Sequence, residues 1–244
     1  MKNYYYDLHI HSCLSPCGDD SATPDSIAGM GELNGLQLMA LTDHNTCKNC
    51  PAFFEAAKRH GILPIAGMEL TTAEDIHMLC LFSSLEDAMW FDKEVSERLI
   101  KIPNRADIFG NQLICDSEDN IIGEEEFLLI NATDISIDYA PDLVEKYGGI
   151  CLPAHIDRTS NGVISVLGVF PETPVFSCAE LHDRTKLDEY SNLSGVGKNK
   201  ILINSDAHYL WDIKEKLDFI SLEDIPPNCD NAGEYLLNFL KESL

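Results

Sequence analysis

Tyr4-Tyr5-Tyr6-Asp7-Leu8-His9-Ile10-His11-Ser12 is aromatic and branched with polar residues interleaved, and it reads as a β-strand. Side chains two apart on a strand face the same way. Asp7, His9 and His11 are therefore expected on one face, with Tyr6, Leu8 and Ile10 on the other. Two imidazoles beside a carboxylate suit a divalent metal, the carboxylate orienting a ring from behind. Taken alone, such a pair is more often two surface histidines. A metal site requires further ligands from the rest of the chain.

Toward the C-terminus the order strand, polar end, helix repeats. Thr23-Pro24 starts a helix that Asn34-Gly35 stops. The apolar run Leu36–Thr42 ends in Asp43-His44-Asn45, and a second helix is predicted from Pro51 to His60. Ile62–Leu70 carries Glu69 near its end, and Asp75–Phe82 carries His77. Residues 85–147 break the rhythm with a helix, two short strands around a polar turn and another helix. They read as an insertion within one domain, 1–244, because so short a segment buries little core alone. The rhythm resumes in Gly149–Arg158, with His155, and in Lys200–His208, with Asp206 and His208. An amphipathic helix is predicted over Ala232–Ser243. Alternating strands and helices imply a parallel sheet covered by helices, with chemistry at the C-terminal strand ends.

Composition narrows the class. The chain has 244 residues, 45% hydrophobic and 24% charged, as an ordinary globular protein has. Its net charge of −24 is expected to repel extended nucleic acid and anionic membrane, leaving a small phosphorylated substrate as partner. No signal-like apolar segment opens the chain and no run is long enough to span a membrane. The nine cysteines are odd in number, scattered and mostly in apolar runs, which points to a reducing cytoplasm. Cys47-Lys48-Asn49-Cys50 is a lone Cys-x-x-Cys, read as structural accident ahead of redox or zinc function.

The histidines are not scattered. Six of the eight, all but His60 and His182, lie at or just past the end of a predicted strand, together with Asp43, Glu69 and Asp206. Barrel strand ends converge on one face. Mixed imidazole and carboxylate ligands suit Zn, Mn or Fe, and so many ligands suit two or three ions. Asp7 and Asp43 are assigned to orient the ligands, and Arg158, a rare cation near the site, to bind substrate phosphate.

The motifs Asp-Leu-His-Ile-His-Ser from Asp7, Leu-Thr-Asp-His-Asn from Leu41, Gly-Met-Glu ending at Glu69, Pro-Ala-His ending at His155 and Ser-Asp-Ala-His ending at His208 resemble, in this order, those of the PHP (polymerase and histidinol phosphatase) family. The resemblance runs from Tyr6 to His208 and implies a distorted (β/α)7 TIM-like barrel, a trinuclear metal centre and phosphoesterase activity. By position it implies that His9, His11, Glu69 and Asp206 hold one ion, that Glu69 bridges to a second held with His77 and His155, and that His44 and His208 hold a third. Trinuclear relatives add a His or Asp from the loop after the first motif. Here Cys17 falls where some members have His, so the third site is completed by Cys17, by Asp19 or only with substrate.

The expected reaction is hydrolysis of a small phosphomonoester or nucleotide by a metal-bound hydroxide. Asp206, Arg158 and His208 are the catalytic candidates, with His208 or a water assisting the leaving oxygen. Rival readings are an amidohydrolase-like C–N or C–O hydrolase, which lacks support from any recognisable bridging lysine, and a non-catalytic metal-binding module.

Overall fold

The computed structural model describes residues 1–197, 199–227 and 229–242. In chain order the elements are β1 (Lys2–Asp7), α1 (Pro24–Leu33), β2 (Leu38–Leu41), α2 (Cys50–Arg59), β3 (Leu63–Thr71), β4 (His77–Phe82), α3 (Leu85–Arg98), α4 (Ala106–Phe109), β5 (Leu113–Cys115), β6 (Ile121–Glu124), α5 (Ala140–Lys146), β7 (Gly149–Pro153), α6 (Val163–Leu167), β8 (Cys178–Leu181), α7 (Leu187–Ser191), β9 (Lys200–Ile203), β10 (Phe219–Leu222) and α8 (Ala232–Lys241). Ser243, where the last helix was expected to end, lies outside the described residues. The fold is α/β, with a curled six-stranded sheet in the order β10-β1-β2-β3-β4-β7 and two separate pairs, β5-β6 and β8-β9. The β8-β9 pair is parallel, and hydrogen bonds tie it in on both sides. Ile156 N–H donates to the Glu180 carbonyl at 2.9 Å, and His11 N–H to the Ala207 carbonyl at 2.9 Å.

Period two along the strands divides the apolar residues into two cores. Inside the curl, Tyr4, Tyr6, Leu8, Leu38, Ala40, Leu63, Ile65, Leu79, Leu81 and Leu152 form a column, closed at one end by Leu236, Leu237 and Leu240 of α8. Outside it, Met39, Leu41, Met68, Met78 and Cys80 meet Ile27 of α1, Phe53 of α2, Phe91 of α3 and Val144 of α5. Gly67, in β3, is the close-approach point of this sheet: a Cβ there would lie 2.7 Å from Thr42 Cγ2 and 2.9 Å from the Cys80 carbonyl.

Three expectations need correction. The sheet is not all parallel, because β4 runs antiparallel to both β3 and β7. The short turn 72–76 is too brief for a crossover helix, so the chain doubles back as a hairpin. His77 thus starts its strand, yet stands opposite Thr71 at the same end of the sheet as the end of β3. The alternation of the first strand also fails. β1 ends at Asp7, and Leu8 belongs to the inner core while Ile10 belongs to the outer one. Side chains there replace the ladder: Leu8 N–H donates to Asn204 Oδ1 and Ile10 N–H to Thr42 Oγ1. Thr23 precedes α1 without a side-chain cap; Asp119 takes that place, Oδ1 accepting from the Asp25 N–H at 2.8 Å and Oδ2 from the Thr23 hydroxyl. Among the described residues no helix is long and apolar enough to cross a membrane.

Candidate metal centre

The irregular segment after β1, the loops after β2, β7 and β9, the end of β3 and the start of β4 bring the expected ligands to one place. His9, His11, His44, Glu69, His155 and Asp206 are all buried, while His77 and His208 sit partly open at its edge. Glu69 is the centre. Its Oε1 lies 2.9 Å from His77 Nδ1, 3.0 Å from His155 Nε2 and 3.4 Å from His9 Nε2. Its Oε2 lies 3.0 Å from His44 Nδ1 and 3.2 Å from His11 Nε2. Asp206 Oδ1 is 3.4 Å from His9 Nε2 and 3.2 Å from His11 Nε2. His155 and Asp206 hold positive φ, 26° and 50°, a backbone strain of about 1–3 kcal/mol each that places both side chains inward.

The network behind the ligands fixes their tautomers. Glu180, buried on β8, meets His9 Nδ1 at 3.0 Å with both oxygens. A carboxylate only accepts, so His9 donates there and turns its Nε2 lone pair to the centre. Asn204 Nδ2 and the His155 N–H hold Glu180 in turn, at 2.8 and 2.9 Å. Asp43 accepts from Ser12 N–H, Ser12 Oγ and Ser15 Oγ, each at 2.7 Å. Ser15, its proton committed, accepts from His11 Nδ1 at 2.9 Å and from His44 N–H at 3.1 Å. The His11 Nε2 lone pair therefore also faces the centre. Asp43 thus acts on His11 through Ser15. Asp7 orients no ring: it accepts from the backbone N–H of Ser205 at 3.1 Å and of Lys214 at 3.4 Å. The chain leaves alternation after Leu8, and Glu180 stands in the place expected of Asp7.

The charges are those of a cation site. Burial would raise the Glu69 carboxyl, but His77, His9 and His44 reverse this and hold it well below the usual carboxylate range. Asp206, against burial, is held low by His9 and His11. His11 is raised to about 9: burial opposes its charge, but Asp206 and Glu69 outweigh it. Burial, then the neighbouring His11 and His77, push His44 well below the ordinary imidazole value. The fit to metal is direct. His44 Nδ1, Glu69 Oε2 and Asp206 Oδ1 are buried without a hydrogen bond despite neighbours within 3.7 Å. Such atoms aim at a common point, not at one another. Three sets converge within 4.8 Å: His9, His11, Glu69 and Asp206; His44, Glu69 and His77; His11, His44 and His208. These groups could bind metals.

Other expected residues stand differently. His155 touches Glu69 and, at 3.3 Å, His77 Nδ1, but falls in none of the convergent sets. Cys17 also falls in none; it is exposed and lines the adjacent cavity. Asp19 turns away to Ser21. His208 donates from Nδ1 to the Asp206 carbonyl at 2.9 Å, and burial and His11 lower its pKa to about 4. That lowering favours the neutral ring, which suits a ligand. Arg158 is ion-paired to Asp206 Oδ2 at 2.6 Å. Glu180, Asn204, Ser12 and Ser15 escaped the sequence reading; the one signal was a lone carboxylate in the apolar run Cys178-Ala179-Glu180-Leu181.

A cavity of about 780 Å³ opens beside the cluster. Its lining includes Cys17, Arg158, Asp206 and His208 together with Arg184, Lys214 and Lys216. Asp218 offsets two of these cations, pairing with Arg184 and lying 3.6 Å from Lys214 Nζ.

Comparison with known proteins agrees with these motifs. The PHP domain model matches residues 7–157. The error-prone DNA polymerase of Symbiobacterium thermophilum is 35% identical over 77 residues, 32% of this chain and 7% of the polymerase. The PolC-type DNA polymerase III of Bacillus subtilis is 36% identical over 75 residues, 28% of this chain and 5% of its own. The chain thus spans under a tenth of either polymerase. Endonuclease Q, solved with a 27-mer duplex bearing an abasic lesion at its active site, superposes with a TM-score of 0.61 at 17% identity, covering 92% of this chain and 54% of that one; endonuclease Q of Pyrococcus furiosus gives 0.60 at 18% identity over 92% of this chain and 54% of its own. An amidohydrolase from Chromobacterium violaceum gives 0.56 at 19% identity over 96% of both chains. A protein assigned as a metal-dependent phosphoesterase from Bifidobacterium adolescentis gives 0.51 at 17% identity over 95% of both.

Endonuclease Q overturns the exclusion of extended nucleic acid drawn from net charge, since a protein of this fold takes a DNA duplex at its active site. The physical reason is that bound cations and local side chains set the field at a site. Here Arg158, Arg184, Lys214 and Lys216 line one cavity together with Asp206, Asp212, Glu215 and Asp218, so its side chains balance locally in a chain whose net charge is −24. With the family model matching well over half of its length, and the expected motifs folded into one ligand cluster, the chain belongs to the PHP domain family.

Proposed function

We propose that this chain is a metal-dependent phosphoesterase that cleaves a phosphate ester of a nucleotide or of nucleic acid. The observation that carries it is Glu69, a buried carboxylate within 3.4 Å of five imidazoles. His9, His11, Glu69 and Asp206 would hold one ion, and Glu69 would share a second with His44 and His77, with His155 alongside. His208 would join His11 and His44 at a third. Bound metal supplies a nucleophile at neutral pH and polarises the phosphoryl oxygens. The chain's own part is to fix the ligands. Glu180 and Ser15 take the Nδ1 protons of His9 and His11, so both rings present lone pairs in a set direction. The guanidinium of Arg158 commits one N–H to Asp206 and has others for a phosphoryl oxygen. A C–N hydrolase is less well supported, since among the described residues no lysine ion-pairs with Glu69 or Asp206.

The fold reading goes with this. The hydrogen bonds of β8 to the end of β7, and of the chain after β9 to His11, support a ring of seven strands, β1-β2-β3-β4-β7-β8-β9, as the TIM-like barrel expects. In the segment 85–147, α3 and α5 pack on the sheet, and the part between them is the insertion. Thiols standing unbonded at 3.6 Å (Cys13 and Cys115) and 4.0 Å (Cys80 and Cys151) support a reducing cytoplasm. The test is hydrolysis of a panel of nucleotides, sugar phosphates and oligonucleotides by the parent and His9→Ala, with elemental analysis of both. Equal rates in the two proteins, or fewer than about two ions per parent chain, would sink the reading.

A further inference from the structure

Two exposed rings stand where the cavity opens. Tyr209 borders the cavity directly after His208. Its ring stacks on that of Trp211 with centroids 4.8 Å apart and planes within 19°. Tyr209 is 40% exposed and Trp211 is 70% exposed. Holding two large rings stacked in water costs rotamer freedom and leaves apolar surface uncovered. The turn that carries them is fixed from below. Leu210 packs against the outer core, Ile213 is buried in it, and the Ile213 carbonyl accepts from Asn34 Nδ2 at 2.8 Å. Asp212 N–H closes the turn onto the Tyr209 carbonyl at 3.0 Å. The rings are thus a rigid flat surface, one turn away from the ligand cluster and on the cavity that holds Arg158, Arg184 and Lys214.

We infer that Tyr209, braced by Trp211, is the nucleobase subsite of this centre. The base of a nucleotide stacks on the Tyr209 ring while its phosphate reaches the metal ligands, with Arg158 beside it. The inference rests on the phosphoesterase reading and adds to it what the leaving group must carry. A π face takes any base, and stacking of this kind joined to cations is how bases are held without sequence readout. A cavity of about 780 Å³ has room for a nucleotide. A sugar phosphate has no flat face to present to the rings. The base of a free nucleotide and that of an oligonucleotide's last residue meet the same surface.

The test uses the protein as purified, with its bound metals, and the non-hydrolysable phosphonate analogues of adenosine monophosphate and of ribose phosphate. Calorimetry is expected to give binding at least about tenfold tighter for the adenosine analogue. Tyr209→Leu and Trp211→Leu are each expected to shrink that preference several-fold. Both positions are exposed, and thermal melts check that each variant is folded. In a Trp90→Phe background Trp211 is the only tryptophan, and its fluorescence is expected to change with the adenosine analogue and not with the ribose one. A terminally phosphorylated single-stranded oligonucleotide is the second arm. Tighter binding than the mononucleotide assigns the subsite to a nucleic-acid end, and weaker binding assigns it to free nucleotides. Equal binding of the two analogues, no binding of either, or a preference that survives both variants overturns the inference. A base preference in binding, in a protein that hydrolyses no phosphate ester, would sink the phosphoesterase reading and leave the subsite standing.

Discussion

At one end of the curled sheet, α8 sets Leu236, Leu237 and Leu240 into an apolar column built from alternate strand residues. At the other end the same strands run out into Glu69, Asp206 and the imidazoles around them. One end is held by area removed from water, on the order of 25 cal/mol per Å². The other gathers buried charge and strained backbone, which oppose folding until cations arrive. The difference teaches that the metal end does not hold itself together. It depends on the apolar end for the stability that a preformed, unneutralised site consumes.

Four experiments break or sharpen that contrast. Glu69→Gln leaves the apolar end intact and should lower activity at least about a thousandfold, roughly 4 kcal/mol in the barrier, with metal content falling alongside; kinetics and elemental analysis check it. Leu236→Ala should do the converse. It should destabilise the fold by about 2–5 kcal/mol in denaturant titration, with little change in kcat per folded molecule. Should Leu236→Ala lower kcat as sharply as Glu69→Gln does, the two ends are not separable. Glu180→Gln keeps the shape but weakens the grip on His9, and a drop of about 10–100-fold in metal affinity is expected by competition with a chelator dye. Lys214 gives the smallest effect. Burial lowers its pKa to about 8, against attraction from Asp7 and Glu180. The folded chain therefore binds fewer protons than the unfolded one between about 8 and 10.5, so stability rises with pH across that window and the burden is full below it. Melting temperatures of Lys214→Met should lack that rise.

The sequence made the ligands legible because metal chemistry dictates their types. His9, His11, His44, Glu69, His77, Asp206 and His208 each stand out as polar groups ending apolar runs, and the structure brings them together. What stands behind them was not legible. Glu180 sits inside an apolar strand, and only tertiary packing shows that its partner is His9, 171 positions away. Ser12 and Ser15 look like turn residues until Asp43 is placed between them. The parity break after Leu8 misassigned Asp7, since alternation holds only while ladder bonds do and here Asn204 and Thr42 supply the partners. The direction of β4 depends on pairing with β3 and β7, which no local pattern encodes.

The order of these parts along the chain has a consequence for biosynthesis. The ligand set is complete at His208, yet β10, which pairs with β1, and α8, which closes the apolar column, come after it. During translation every metal ligand leaves the ribosome before the floor of the column exists. Until residues 219–241 emerge, β1 lacks its outer neighbour and the column stands open to water from below. The nascent chain thus carries its candidate ligands before the column that positions them is closed.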